Sequence, residues 1–441
     1  MLGISRRNLI KAAGATTAAA ALSPLLGSHS FAQAGKLIVY WGHNYPTRVK
    51  IVNETMGPGF KAQTGIEVHH EDFETNQNEL KILTGWTGGG EGGPDLVSVG
   101  DNNLPDYVYR KLVAPVDPAA FGFKTQDELV NAFEPGALNG FIVDGVLYGI
   151  PMDLASISMY YRKDFFKEAG LDPERPPKTW DEVTEMGKLL TKTDAGGTVT
   201  RAGWGWMARS NSSHFYYWGT LLPQHGVDFL SADGTSNGFN NEKGIKAFQY
   251  LHDTFHGPNR ITALGLAPTI SPVDDFGAGR VAMLNSGLWL APSVEAKYPK
   301  VNFKDGVYGV ARLPQTAGGT PATRLNPWVY MVSSKSKVIR ESWDFVAYMT
   351  QRQESRDIWF KQAQYVLPWK GFRDTEAVTA NPYAKAFFED LEIGVPLPRT
   401  HRFAELATMV AQAYDRISAN GETPDTVVPD LASEIDNLVQ E

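Results

Sequence analysis

The chain has 441 residues, a formal net charge of −8 and no cysteine. The lack of thiols excludes disulfides, thiol nucleophiles, thiolate metal sites and a lipid-modified N-terminal cysteine. The acidic balance argues against nucleic acid or an anionic membrane face as partner, and the length predicts two domains.

The chain opens with Ser5-Arg6-Arg7-Asn8-Leu9-Ile10-Lys11, a weakly apolar stretch from Ala12 to Leu26, and Ala32-Gln33-Ala34. A charged start, a short apolar middle and a small-x-small end predict a secretory signal peptide over residues 1–34. The paired arginines resemble the twin-arginine type. The apolar middle is shorter than the ~20 residues that span a bilayer. Cleavage before Gly35 removes three basic residues and no acid, which takes the net charge to −11. The expectation is a mature chain exported by the twin-arginine machinery into a periplasm.

Residues 36–41 form an apolar run that predicts a strand ending at Gly42-His43-Asn44. A helix face follows with Val49, Val52, Met56 and Phe60, stopped at Gly65, and then a second strand begins at Ile66. After another helix around residues 78–86 and a glycine-rich stretch, residues 94–99 read as a third strand. The strand–helix–strand order predicts parallel pairing in an α/β sheet. Ligands of such sheets gather at the carboxyl ends of strands, here residues 41–44 and 101–103. Further on, residues 157–161 read as a strand, and Thr179-Trp-Asp-Glu182 is a capping box that opens a helix. Strands are predicted near 281–284, 307–313 and 328–332. Helices are predicted near 245–255 and 341–349 and through much of 402–439.

Motifs for catalysis or cofactors are weak. Gly277-Ala-Gly279 lacks the strand before it and the helix after it that a dinucleotide site needs. The glycines at 88–93 lack the Lys-Ser/Thr of a phosphate loop. His69 and His70 are adjacent on a strand and point to opposite faces, so they cannot easily share a metal. No cofactor or metal is expected. Paired carboxylates for glycoside cleavage need no fixed spacing and stay open.

The 11 Trp, 17 Tyr and 22 Phe are the informative composition. Trp41, Trp204, Trp206, Trp218, Trp289 and Trp328 fall at predicted strand ends or in polar loops. Trp180, Trp343 and Trp359 fall inside helix patterns and read as packing. The first six, with Asn44, Asp101, Asn102, Asp153, Ser213 and Asn326 nearby, suit a sugar. Aromatic faces stack on its C–H faces, while Asp and Asn take its hydroxyls.

An ordered set of motifs then resembles a known family. It comprises Phe60-Lys-Ala-Gln-Thr-Gly-Ile66, Gly93-Pro-Asp-Leu96, Leu112-Val-Ala-Pro-Val-Asp117, Tyr148-Gly-Ile-Pro-Met-Asp153, the run from Met159 to Leu171, Pro177-Lys-Thr-Trp-Asp-Glu182, Phe276-Gly-Ala-Gly-Arg-Val-Ala-Met283 with Gly287-Leu-Trp289, and Val332-Ser-Ser-Lys-Ser336. Together these resemble the extracellular solute-binding proteins of ABC importers, family 1, which includes the maltose-binding protein. The resemblance implies a two-lobed α/β periplasmic binding protein fold with an interlobe ligand cleft and hinge crossovers. The lobes would be residues 35–152 plus 307–350, and residues 153–306 plus 351–441. It implies a monomeric, non-enzymatic receptor that docks on an inner-membrane permease. Trp41, His43, Asn44, Asp101 and Asn102 would face the cleft from the first lobe, with Asp153 in a hinge crossover. Ser213, Phe215, Trp218 and Trp289 would face it from the second, and Asn326 and Trp328 would complete it. Val99-Gly100 stands where some maltose binders carry Trp, so maltose is not assigned. Other ligands in the same architecture are glycerol phosphate, for which His43, Arg201, Arg209 and Arg324 supply cations, and a polyamine. An exported glycoside hydrolase or lyase is the reading from another class.

Overall fold

The computed structural model describes residues 35–43, 45–73, 75–88, 92–206, 210–262 and 271–440, and side chains from residue 79 onward in the helix Thr75–Thr87. The signal-peptide reading, Asn44 and Arg209 lie outside the described residues.

Two five-stranded sheets organise the chain. The first has the order Glu67–Phe73, Leu37–His43, Leu96–Gly100, Trp328–Val332, Ile150–Pro151. Its first three strands are parallel, as predicted, and Trp328–Val332 runs antiparallel to both neighbours. Leu96–Gly100 is buried along its whole length, the pattern of a strand covered on both faces. The helix Pro46–Ile51 begins with proline at its first turn, where the missing N–H costs nothing. It continues through Val52–Met56 and Gly57–Thr64 and stops at Gly65, whose φ of 75° lets its N–H reach the Lys61 carbonyl at 2.8 Å.

The second sheet has the order Tyr308–Ala311, Ser158–Arg162, Val281–Ser286, Val199–Gly205, Lys192–Thr193. The predicted capping box is present at the helix Trp180–Leu190. Glu182 N–H donates to the Thr179 hydroxyl at 3.2 Å, and the Glu182 carboxylate accepts from the Lys178 N–H at 2.6 Å. Trp180, Trp343 and Trp359 are core residues, as their helical spacing predicted. No described helix is long and apolar enough to cross a membrane.

Two segments differ from the expected lobe boundaries. Tyr308–Ala311, expected in the first lobe, pairs antiparallel with Ser158–Arg162 in the second sheet. Tyr308 anchors it there, packed on Tyr160 and Phe276 with its hydroxyl donating to Glu295 at 2.7 Å. Gln353–Ala363, expected in the second lobe, packs on Pro46–Ile51 and Ile339–Thr350 of the first. There Trp359 is buried and its indole N–H donates to the Met349 carbonyl at 3.1 Å. The chain therefore passes between lobes near residues 152–157, 312–327 and 364–384. These crossovers are bonded to one another: Leu154 N–H donates to Val366 O at 2.7 Å and Asn326 N–H to Ala155 O at 3.0 Å.

Candidate ligand cleft

The carboxyl ends of the first sheet carry the clearest cleft wall. His43 ends its strand and Trp328 begins another, and their rings stack 4.9 Å apart at 15°. The Arg48 guanidinium lies 5.2 Å from the centre of the Trp328 ring and donates to the His43 carbonyl. Arg48 is 1% exposed, and among the described residues no carboxylate pairs with it. Asp153, in the first crossover, lies 3.5 Å from the Trp328 N–H. Burial lifts its carboxyl from the usual range to about 7; the Trp328 bond and Arg48 oppose this, and the Asp101 charge adds to it. A narrow hollow joins Asp153 to Ser156, Trp289, Gln364 and Tyr365.

Trp289 supplies the second lobe's side. Its ring folds back over Gly287, where a Cβ would lie 1.7 Å from the indole, so only glycine fits. Its carbonyl accepts from the Tyr45 hydroxyl of the first lobe, which also bonds Ser293. Asp101 and Asn102 form a turn after Leu96–Gly100, both buried at the boundary between the lobes. The Tyr216 hydroxyl of the second lobe lies 3.4 Å from Asp101 Oδ1 and from Asn102 Oδ1. Arg399 donates to Asp101 Oδ2 at 3.0 Å and to its carbonyl at 3.2 Å.

Several expected contacts are core instead. Phe215 is fully buried between Phe229 and Phe403 at 4.5 and 4.9 Å. Trp218 packs on Phe248 at 5.2 Å and donates to His214 Nδ1 at 2.9 Å. The Ser213 hydroxyl closes its own turn on the Ser210 carbonyl at 2.6 Å. Residues 213–216 make a single helical turn, so successive side chains diverge and Tyr216 reaches the first lobe while Phe215 does not. Trp204 is buried inside its strand, and Trp206 donates to Thr254 at 2.9 Å in an indole cluster with Trp180. Trp41 lies edge-on to Phe73 at 5.2 Å and against Gly85 of the helix Thr75–Thr87, so packing holds it. Asn326 is buried in the crossover that its backbone secures. The structure thus brings His43, Trp328, Asp153 and Trp289 together, sets Asp101 and Asn102 at the lobe boundary, and removes Trp41, Ser213, Phe215 and Trp218.

Two cations of the phosphate reading, Arg201 and Arg324, are held elsewhere. Arg201 pairs with Glu168 at 2.8 Å. Arg324, fully buried, donates to Asp228 at 2.8 Å and to the Pro396 carbonyl at 3.0 Å. His69 and His70 do take opposite environments: His69 meets Glu71 at 3.0 Å, while His70 stacks on Tyr40 and burial lowers its pKa to about 3. Among the described residues no three His, Asp or Glu side chains group to hold a metal.

Residues 56–386 match the model of the bacterial extracellular solute-binding proteins. The chain belongs to that family. Residues 3–23 match the twin-arginine translocation signal, so this solute-binding protein is exported and periplasmic. It is 22% identical to the arabinooligosaccharide-binding protein of Bacillus subtilis, over 78% of this chain and 79% of that one. It is 24% identical to the sn-glycerol-3-phosphate-binding periplasmic protein UgpB of Pectobacterium atrosepticum, over 96% and 94%. Its fold matches an ABC transporter solute-binding protein of Thermotoga lettingae bound with α-D-tagatose. There the TM-score is 0.79 at 20% identity, covering 92% of this solute-binding protein and 100% of that chain.

Proposed function

We propose that this protein captures a carbohydrate or sugar derivative between its lobes and delivers it, unchanged, to an inner-membrane ABC permease. The observation that carries the reading is the stacked His43–Trp328 wall, with Asp153 beside it and Trp289 opposite. An aromatic wall takes the C–H face of a pyranose, and a carboxyl group takes a hydroxyl. The arabinooligosaccharide-binding relative supports the ligand class. Hydrolysis of a glycoside uses two working carboxyl groups. Here Asp101 is tied to Arg399 and Glu79 accepts from Asn103 at 3.0 Å, which supports a receptor over a hydrolase. The same ties weigh against a polyamine, which needs several free carboxylates. A phosphorylated polyol is the second reading, favoured by the buried Arg48, which pairs with no carboxylate among the described residues, and by the glycerol-phosphate-binding relative.

The test is tryptophan fluorescence and thermal shift with tagatose, arabino-oligosaccharides, maltotriose and glycerol 3-phosphate. A neutral sugar should raise the melting temperature and change the emission. A response to glycerol 3-phosphate alone selects the second reading, and turnover of a bound oligosaccharide overturns both.

A further inference from the structure

An ion pair joins the lobes at Asp101. Arg399 stands on a well-anchored stretch of the second lobe. Gly394–Val395 pairs with Thr323–Arg324, the Pro396 carbonyl is held by the buried Arg324, and Phe403 is packed on Phe215. From there the guanidinium crosses to the first lobe and grips Asp101 twice, at its carboxylate and at its carbonyl. It lies 6.0 Å from the Phe141 ring, and a Cβ on Gly140 would sit 2.4 Å from its Nη2. Gly140 therefore leaves the space through which the guanidinium passes. Beside it His401 of the second lobe stacks on Tyr109 of the first, centroids 4.1 Å apart at 19°. The second carboxylate oxygen of Asp101 faces Tyr216, also of the second lobe.

Asp101 is 1% exposed although it opens the turn after a strand at the lobe boundary. Separating the lobes would break the ion pair and uncover the carboxylate, so the pair favours the closed arrangement without any ligand. We infer that Arg399 is a positioning residue that latches the lobes through Asp101. The latch sets how much closed protein exists before ligand arrives. It is distinct from the sugar reading, because the bonds that make it run between protein groups. Ligand affinity follows the closed fraction, since a receptor that is partly closed beforehand loses less on binding.

The test uses the full chain without ligand. It has no cysteine, so spin labels at Leu80→Cys and Leu189→Cys report the distance between lobes without background labelling. Both leucines are exposed, at 68% and 57%, one on each lobe. The labelled protein should show a short-distance population. Arg399→Met should reduce that population by about tenfold, because it leaves the buried Asp101 without its partner. Gly140→Ala should move it in the same direction by a smaller factor, with both charges still present, and Arg399→Lys should fall between. Gly140→Ala carries the test if Arg399→Met fails to fold. An unlabelled control of each variant should bind maltotriose, or whichever sugar the parent binds, more weakly in proportion to the lost closed fraction. A distance distribution unchanged by Arg399→Met or by Gly140→Ala overturns the latch, and so does a ligand-free parent with no short-distance population. Because the distances are read without ligand, failure of the sugar reading leaves this result intact.

Discussion

His43 lies flat on Trp328, ring centroids 4.9 Å apart and planes 15° from parallel. The two residues belong to strands that are not neighbours; Leu96–Gly100 runs between them and ends at Gly100, opposite Trp328. The stack bridges that strand end. It should behave as one unit. In a double-mutant cycle of His43→Ala and Trp328→Ala, the coupling in denaturant unfolding should be about 1 kcal/mol. Additive effects would show that the rings merely lie near each other.

Asp153 gives a pH dependence. Its folded pKa of about 7 lies above the ordinary carboxylate value, so the folded state holds this proton more tightly than the unfolded chain. The contribution to stability is complete below about pH 4 and is lost as pH rises through about 7. Buried Asp390, with a folded pKa of about 6, acts in the same direction. Asp153→Asn should remove its share. Measured by urea unfolding of ligand-free protein, the variant should gain on the order of 2 kcal/mol relative to the parent between pH 5 and pH 8.

Trp289 and Trp218 should separate binding from packing. Trp289→Ala should weaken binding of whichever sugar the panel identifies by about tenfold or more, with a small change in stability. Trp218→Ala should cost about 3–5 kcal/mol of stability by leaving a core cavity. Below its melting transition it should bind the sugar with the parent's affinity. Isothermal titration and chemical unfolding read the two effects independently.

Arg324 offers a check on the phosphate alternative. Arg324→Ala strands the partly buried Asp228 and should destabilise the protein by about 3 kcal/mol. Its effect should be equal for glycerol 3-phosphate and for a neutral sugar. Arg48→Met should weaken glycerol 3-phosphate selectively if that is the ligand.

The parallel direction of the first three strands, the helix stop at Gly65 and the Thr179–Glu182 cap were legible because each rests on local periodicity or a turn residue. His43, Asp153, Trp289 and Trp328 were legible because strand ends and the family's crossover motif carry them. The aromatic run at residues 215–218 was not. Which of four adjacent rings faces the first lobe depends on the rotation of one helical turn; Tyr216 does and Phe215 does not. Arg399 gave no local signal, since an ion pair to Asp101 has no sequence period to reveal it. Tyr308–Ala311 and Gln353–Ala363 were given to the wrong lobes because apolar spacing predicts an element without naming its partner.

Trp328–Val332 is an inner strand of the first sheet, seated between Leu96–Gly100 and Ile150–Pro151. It is synthesised after the whole second sheet. The first sheet therefore cannot be completed as the N-terminal half of the chain leaves the ribosome, and the first lobe must consolidate late. A nascent chain cut short before residue 328 would leave one edge of Leu96–Gly100 unpaired, open to wrong pairing. An export route that accepts only finished, folded cargo suits a protein whose earliest strands wait for one of its last.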